Sequence, residues 1–122
     1  MNLSLRQCEF THALALLIIR IASKGYQVKV QELNRTVETQ TQYVKDGKSK
    51  TMNSRHLQNL AADIVLFKDG RPVWEGESYR QFGEYWEELG GRWGGRFGLE
   101  DKPEIIKARE IGWDSGHYEF VP

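Results

Sequence analysis

A chain of 122 residues with 39% hydrophobic and 28% charged residues holds enough apolar material for one folded core, which excludes a disordered chain. The net charge is zero, divided as eight Lys/Arg against four Asp/Glu over residues 1–50 and nine against thirteen over residues 51–122. So mild a division leaves no electrostatic footprint for nucleic acid. The single cysteine, Cys8, excludes an internal disulfide and any Cys-x-x-Cys metal pair, and suits a reducing compartment.

Ser4 is placed to cap a helix from about Leu5 to Lys24, with Leu5, Cys8, Phe10, Ala13, Leu16, Leu17 and Ile21 inward and Gly25 as its stop. The apolar run from Ala13 to Ile19 is too short to span a bilayer. Its flanks lack the basic start and small-residue cleavage site of a secretory signal, so it reads as a buried helix of a protein made in the cytosol. In "YQVKVQEL", Tyr26, Val28 and Val30 alternate with polar residues, the pattern of a strand with one buried face. Thr36 opens a short helix that Asp46-Gly47 closes, and "KSKTMNSRHLQNL" is a polar loop. "AADIVLF" is the second strand, and the turn Lys68-Asp69-Gly70-Arg71 returns it as a hairpin with "PVWEG". "SYRQFGEYWEELG" is a second long helix with Phe82, Tyr85, Trp86 and Leu89 on one side. Five glycines between Gly90 and Gly98 predict an irregular loop, "EIIKARE" one or two helical turns, and "GHYEFVP" a closing strand. Helices and strands mix without a βαβ rhythm, which predicts an α+β fold: one domain over residues 1–122, with helices packed on a short, mostly antiparallel sheet.

The chain has three histidines. His12 lies in the apolar helix and reads as a partly buried structural residue. His56 and His117 lie in polar or glycine-containing loops beside strands, and each has a carboxylate nearby: Asp63 opens the apolar run Ile64-Val65-Leu66-Phe67, and Asp114 precedes His117 by three in "WDSGH". An unpaired carboxylate at the mouth of a buried strand is costly. Two His and one Asp form a three-ligand zinc site with a fourth position for water, and a further carboxylate, Asp114, can take that water's proton. On an unbroken strand residues three apart face opposite ways, so Gly116 is expected to bend the chain and bring Asp114 and His117 to one pocket. Spacing alone is a weak signal, because two histidines and two aspartates occur by chance in many domains of this size. For Asp63 a turn cap, and for Asp114 an Asx-turn before Ser115-Gly116, remain open.

"SRHLQNLAAD" (Ser54 to Asp63) resembles the S-x-H-x-x-G-x-A-x-D motif of the zinc D-Ala-D-Ala carboxypeptidase and L-alanyl-D-glutamate endopeptidase family, and phage endolysins most of all. "WDSGH" resembles the family's second motif, an acidic residue three before a final histidine, and "NRTVETQTQYV" and "GGRWGGRFG" look like endolysin segments. The resemblance implies the hedgehog/D-Ala-D-Ala peptidase fold with a zinc site at the sheet edge. It implies His56, Asp63 and His117 as zinc ligands, Asp114 as general base, Arg35 as the arginine that binds substrate and stabilises the oxyanion, and Ser54 as a supporting hydrogen-bonder. The motif glycine is Asn59 here, a residue that tolerates a left-handed backbone.

The activity so implied is zinc-dependent hydrolysis of peptidoglycan stem peptides at the L-alanyl-D-glutamate bond. The setting is a phage or prophage endolysin, monomeric, without a membrane anchor, made in the cytoplasm and acting on the wall after release. A D-Ala-D-Ala carboxypeptidase or dipeptidase is the alternative enzyme, and a non-catalytic, zinc-stabilised wall- or protein-binding domain is the alternative of another class. A surface salt bridge is the plain reading of Arg35. Glu119 shares a strand face with His117 and reads either as a partner supporting that histidine or as a solvated strand residue, the latter being favoured. Of Trp93, Trp113 and Tyr118, at least two are expected in the core and the remainder near the site. "GGRWGGRFG" lacks the G-K-[ST] of a phosphate loop.

Overall fold

The computed structural model describes residues 2–49 and 54–122. Helix α1 runs Leu3–Ser23; Asn2, not Ser4, caps it, accepting a 2.8 Å hydrogen bond from the Leu5 amide. Its buried positions are Phe10, Ala13, Leu14, Leu17 and Ile21. Leu5 and Cys8, expected inward, are exposed, and so is His12. The helix is therefore half-buried, and its inner stripe begins only at Phe10. Gly25 follows with φ 87°, the left-handed stop the sequence predicts.

Five strands form one antiparallel sheet. They are β1 (Gln27–Glu32), β2 (Ala61–Lys68), β3 (Arg71–Val73), β4 (Arg92–Trp93) and β5 (His117–Glu119). The order is β1-β2-β5-β4, and β3 also pairs with β2. Asp69 and Gly70 both have positive φ, as the two-residue hairpin between β2 and β3 demands. Helix α2 (Val37–Lys45) is capped by Thr36, and α3 (Arg80–Glu88) is shorter than its sequence suggests because Gly76–Tyr79 is a 3₁₀ turn. Helix α4 covers Glu104–Arg109. The glycine-rich stretch is not wholly irregular: Arg92–Trp93 pairs with β5 before a 3₁₀ turn at Gly94–Arg96.

Period-2 alternation then divides the sheet between two jobs. Ala62, Ile64 and Leu66 of β2 and Tyr118 of β5 join α1, Phe82 and Trp86 in the core. The other face of the same strands carries Asp63, His117 and Glu119. Of the three aromatics, Trp93 and Tyr118 are fully buried, while Trp113 is 68% exposed.

Candidate metal centre

Strand register builds the centre. Asp63 pairs with Glu32 of β1 on one side and His117 of β5 on the other, so Glu32, Asp63 and His117 form one row across three strands. The next row holds Ala61, Glu119 and Arg92. A one-residue slip would send every one of these side chains into the core. His56 enters from a 3₁₀ turn, Arg55–Gln58, just before β2. Ser54 caps this turn by accepting from the His56 amide at 3.2 Å. Asn59 ends it at φ 55°, ψ 39°, so the position where the resembling motif has glycine is indeed left-handed. That turn lets the Leu60 amide reach the Arg55 carbonyl at 3.0 Å and sends the chain into β2.

The three side chains meet. His56 Nε2 lies 3.1 Å from Asp63 Oδ2, and His117 Nδ1 lies 2.9 Å from Asp63 Oδ1. One donor atom from each residue falls within 4.8 Å of the others, the cluster among the described residues able to hold a metal ion. The remaining ring nitrogens are also engaged. His56 Nδ1 is 2.7 Å from the Leu33 carbonyl oxygen, which can only accept, so that nitrogen carries a proton. His117 Nε2 is 2.8 Å from Glu119 Oε1. Two imidazoles and a carboxylate, each imidazole with its outer nitrogen bonded to an acceptor, is a donor set that fits zinc.

Asp114 sits beside the cluster, with Oδ2 3.8 Å from His117 Nδ1. A turn closed by the His117 amide on the Asp114 carbonyl (3.0 Å) brings the two to one side. The role of Gly116 in this turn is close approach rather than a special backbone angle: a Cβ there would lie 2.5 Å from the Ile64 carbonyl oxygen. Gly94 is tighter still, since a Cβ would lie 2.0 Å from the Asp114 carbonyl oxygen and 2.8 Å from His117 Cβ.

Arg35 is ion-paired, but not on the surface. Its guanidinium bonds Glu32 and donates to Gln40 Oε1 at 2.6 Å, lies over the Tyr43 ring, and stands 3.9 Å from Asp63 Oδ2. Ser54 Oγ accepts a longer bond from it, 3.4 Å. The reading of Glu119 as a solvated strand residue is overturned: it is 4% exposed, bonded to His117 and 3.3 Å from Arg92. Its place two residues after His117 on a strand was the available signal. Glu32, Gln40 and Tyr43, which hold Arg35, had no signal in spacing.

Charge follows geometry. For Asp63, burial favours the neutral acid, but hydrogen bonds from His117 and His56 override it and hold the carboxyl well below the usual range. For His117, burial opposes the charged form, yet hydrogen bonds to Asp63 and Glu119 raise the metal-free imidazole to about 9. Burial pushes the Asp114 carboxyl up. The cluster opens into a cleft of about 940 Å³, whose walls include Arg35, Tyr43, Lys48, Ser54, Phe97 and Trp113. Residues 50–53 of the polar loop before His56 lie outside the described residues.

Comparison with known proteins places relatives of the chain among peptidases. A family model described as D-alanyl-D-alanine carboxypeptidase matches residues 47–103, a span holding His56 and Asp63 and ending before His117. The L-alanyl-D-glutamate peptidase of Listeria phage A118 is 34% identical over 87 residues, 68% of this chain; the chain spans only 31% of that relative's length. The crystal structure of the L-Ala D-Glu endopeptidase ChiX from Serratia marcescens is similar in fold with a TM-score of 0.59 at 27% identity, over 87% of this chain and 77% of that one. The vancomycin-resistance D,D-pentapeptidase VanY, solved with Zn(II), shares the fold with a TM-score of 0.58 at 24% identity, over 93% and 71%. Sequence and fold point the same way: over the matched residues the chain is similar to the D-alanyl-D-alanine carboxypeptidase family and to L-alanyl-D-glutamate peptidases.

Proposed function

We propose that this chain is a zinc peptidase that hydrolyses the stem peptides of peptidoglycan at the L-alanyl-D-glutamate bond, as the lytic enzyme of a phage or prophage. The observation that carries the reading is the convergence of His56 Nε2, Asp63 and His117 Nδ1 beside Asp114 in one cleft. The phage relative and ChiX supply the bond. Residues 1–122 would act as one peptidase domain, made in the cytoplasm and delivered to the wall on release. No helix among the described residues is long and apolar enough to cross a membrane.

His56, Asp63 and His117 would hold the zinc. When bound, zinc lowers the pKa of a water and polarises a carbonyl. Asp114, its carboxyl raised by burial, takes the proton of the attacking water and passes it to the leaving amine; a raised pKa makes it the stronger base. Arg35 opposes negative charge developing on the scissile carbonyl oxygen. Glu32, Gln40 and the Tyr43 ring keep its guanidinium fixed on the cleft wall, so the charge needs no rearrangement during reaction. Ser54 secures the turn that presents His56.

Digestion of purified peptidoglycan, followed by mass spectrometry of the muropeptides, tests this. New N-terminal glutamate, abolished by a chelator and restored by zinc, is the expected result. Cleavage at the terminal D-Ala-D-Ala bond instead would replace the specificity, and no cleavage by the zinc-loaded protein would overturn the enzymatic reading.

A further inference from the structure

Glu119 is buried, charged and unused by the chemistry proposed above. We infer that Glu119 is a positioning residue for the metal centre: its carboxylate fixes which nitrogen of His117 faces Asp63 and makes that nitrogen a better ligand. The inference rests on the reading of His117 as a metal ligand.

The geometry is specific. Glu119 and His117 lie two apart on β5, so both side chains stand on one face, and Glu119 Oε1 meets His117 Nε2 at 2.8 Å. An ionised carboxylate has only acceptors. The Nε2 that faces it must therefore hold a proton, and in the neutral ring that leaves the lone pair on Nδ1. Nδ1 is the nitrogen 2.9 Å from Asp63 and on the side of His56. The ring is gripped on its flank by Phe97, at 5.5 Å between centroids. Without Glu119 no described acceptor on Nε2 would hold the proton there, and Asp63 beside Nδ1 would draw the proton to the nitrogen that must face the metal. A negative charge on Nε2–H also increases the electron density that Nδ1 can offer. The site treats its two histidines differently here: His56 is oriented by a neutral carbonyl, His117 by a full charge.

Arg92 is the obvious competitor for Glu119. It approaches Glu119 Oε2 at 3.3 Å while also binding Glu100 at 2.5 and 2.8 Å. Glu119 could then serve only to clamp β4 to β5. The two oxygens separate these roles, because Oε1 goes to His117, while Oε2 faces Arg92 and, at 3.8 Å, Arg55. Removing Arg92 breaks the clamp and leaves the His117 contact in place.

The test is zinc affinity by competition with a chromophoric chelator, together with the visible spectrum of the cobalt(II)-loaded protein. Wild type, Glu119→Gln and Arg92→Met are compared, each with its melting curve free of metal. Glu119→Gln is expected to bind zinc roughly 10- to 100-fold more weakly and to change the cobalt spectrum. Arg92→Met is expected to keep both at wild-type values. Equal affinity and spectrum in wild type and Glu119→Gln overturn the positioning role while leaving the metal site standing. Equal losses in Glu119→Gln and Arg92→Met also overturn it, in favour of the clamp. Wild-type protein that binds no zinc overturns the metal reading and this inference with it. If Glu119→Gln does not fold, Glu119→Asp keeps the charge but falls short of Nε2, and unchanged affinity there overturns the proposal.

Discussion

The stability of the metal-free protein should fall as pH rises from near neutrality to about 9. His117 is the cause. In the folded chain its imidazolium donates to Asp63 on one side and Glu119 on the other, which outweighs burial and raises it from the usual 6.5 to about 9. A folded-state pKa above the unfolded one means that folding favours the bound proton. The stabilisation is complete below about 6.5 and is lost as pH climbs through about 9. At 1.36 kcal/mol per pKa unit, a rise of that size corresponds to about 3 kcal/mol. Asp63 has the opposite sign: its carboxyl is depressed, so its contribution is present above the ordinary carboxylate range and lost only on strong acidification. Urea denaturation in a chelator, at steps from pH 6 to pH 9.5, measures the effect. His117→Gln should remove most of the slope. A wild-type stability that stays level or rises across this window, relative to His117→Gln, would refute the reasoning. Zinc competes with the proton on Nδ1, so its apparent affinity should rise across the same window.

Asp114→Asn should retain zinc and lose wall cleavage by roughly 10²- to 10⁴-fold, read as muropeptide release against metal content; equal cleavage by the variant would remove Asp114 from the base role. Gly94→Ala places a methyl 2.0 Å from the Asp114 carbonyl oxygen. It should cost about 1–3 kcal/mol in denaturant and weaken zinc binding, because the displaced groups are those beside His117. Asn59→Gly should leave the melting temperature close to wild type, whereas Asn59→Val, β-branched at φ 55°, should lose about 1–2 kcal/mol or more.

Much of the site was legible because strands obey a period of two. Once "AADIVLF" and "GHYEFVP" are strands, Asp63 must leave the core face that Ala62 and Ile64 occupy, and His117 must leave that of Tyr118. Which residue stands opposite which was not legible. The register Asp63 to His117 depends on pairing across more than fifty positions, and nothing local encodes it. The same limit hid β4: two residues between glycines carry no strand pattern, and Arg92–Trp93 becomes a strand only because β5 runs beside it. It also hid the burial of Glu119, since Arg92, the nearer of the two arginines paired with it, comes from that unforeseen strand. At the N-terminus the difficulty was chemical rather than topological. Asn2 and Ser4 are both good caps, and apolar character alone did not reveal that the first two turns of α1 dock through Arg6 and Gln7 rather than through Leu5 and Cys8, which are exposed.

Asp63 now has a reason for standing on a buried strand, and that reason involves reach. Nδ1 of a histidine is close to its backbone and Nε2 is far from it. His117 is paired directly across from Asp63, so the near nitrogen suffices and the far one is free to meet Glu119 on its own strand. His56 comes from the 3₁₀ turn before β2, a longer approach, and uses its far nitrogen while the near one bonds the Leu33 carbonyl. The two histidines are thus not equivalent copies of a ligand. Each presents the nitrogen that its element's distance from Asp63 requires, and each has an acceptor placed to hold the proton on the other nitrogen. The left-handed Asn59 belongs to the same geometry: by closing the turn it sets the distance over which His56 must reach, so its φ matters to the metal site although its side chain touches neither histidine's donor atom.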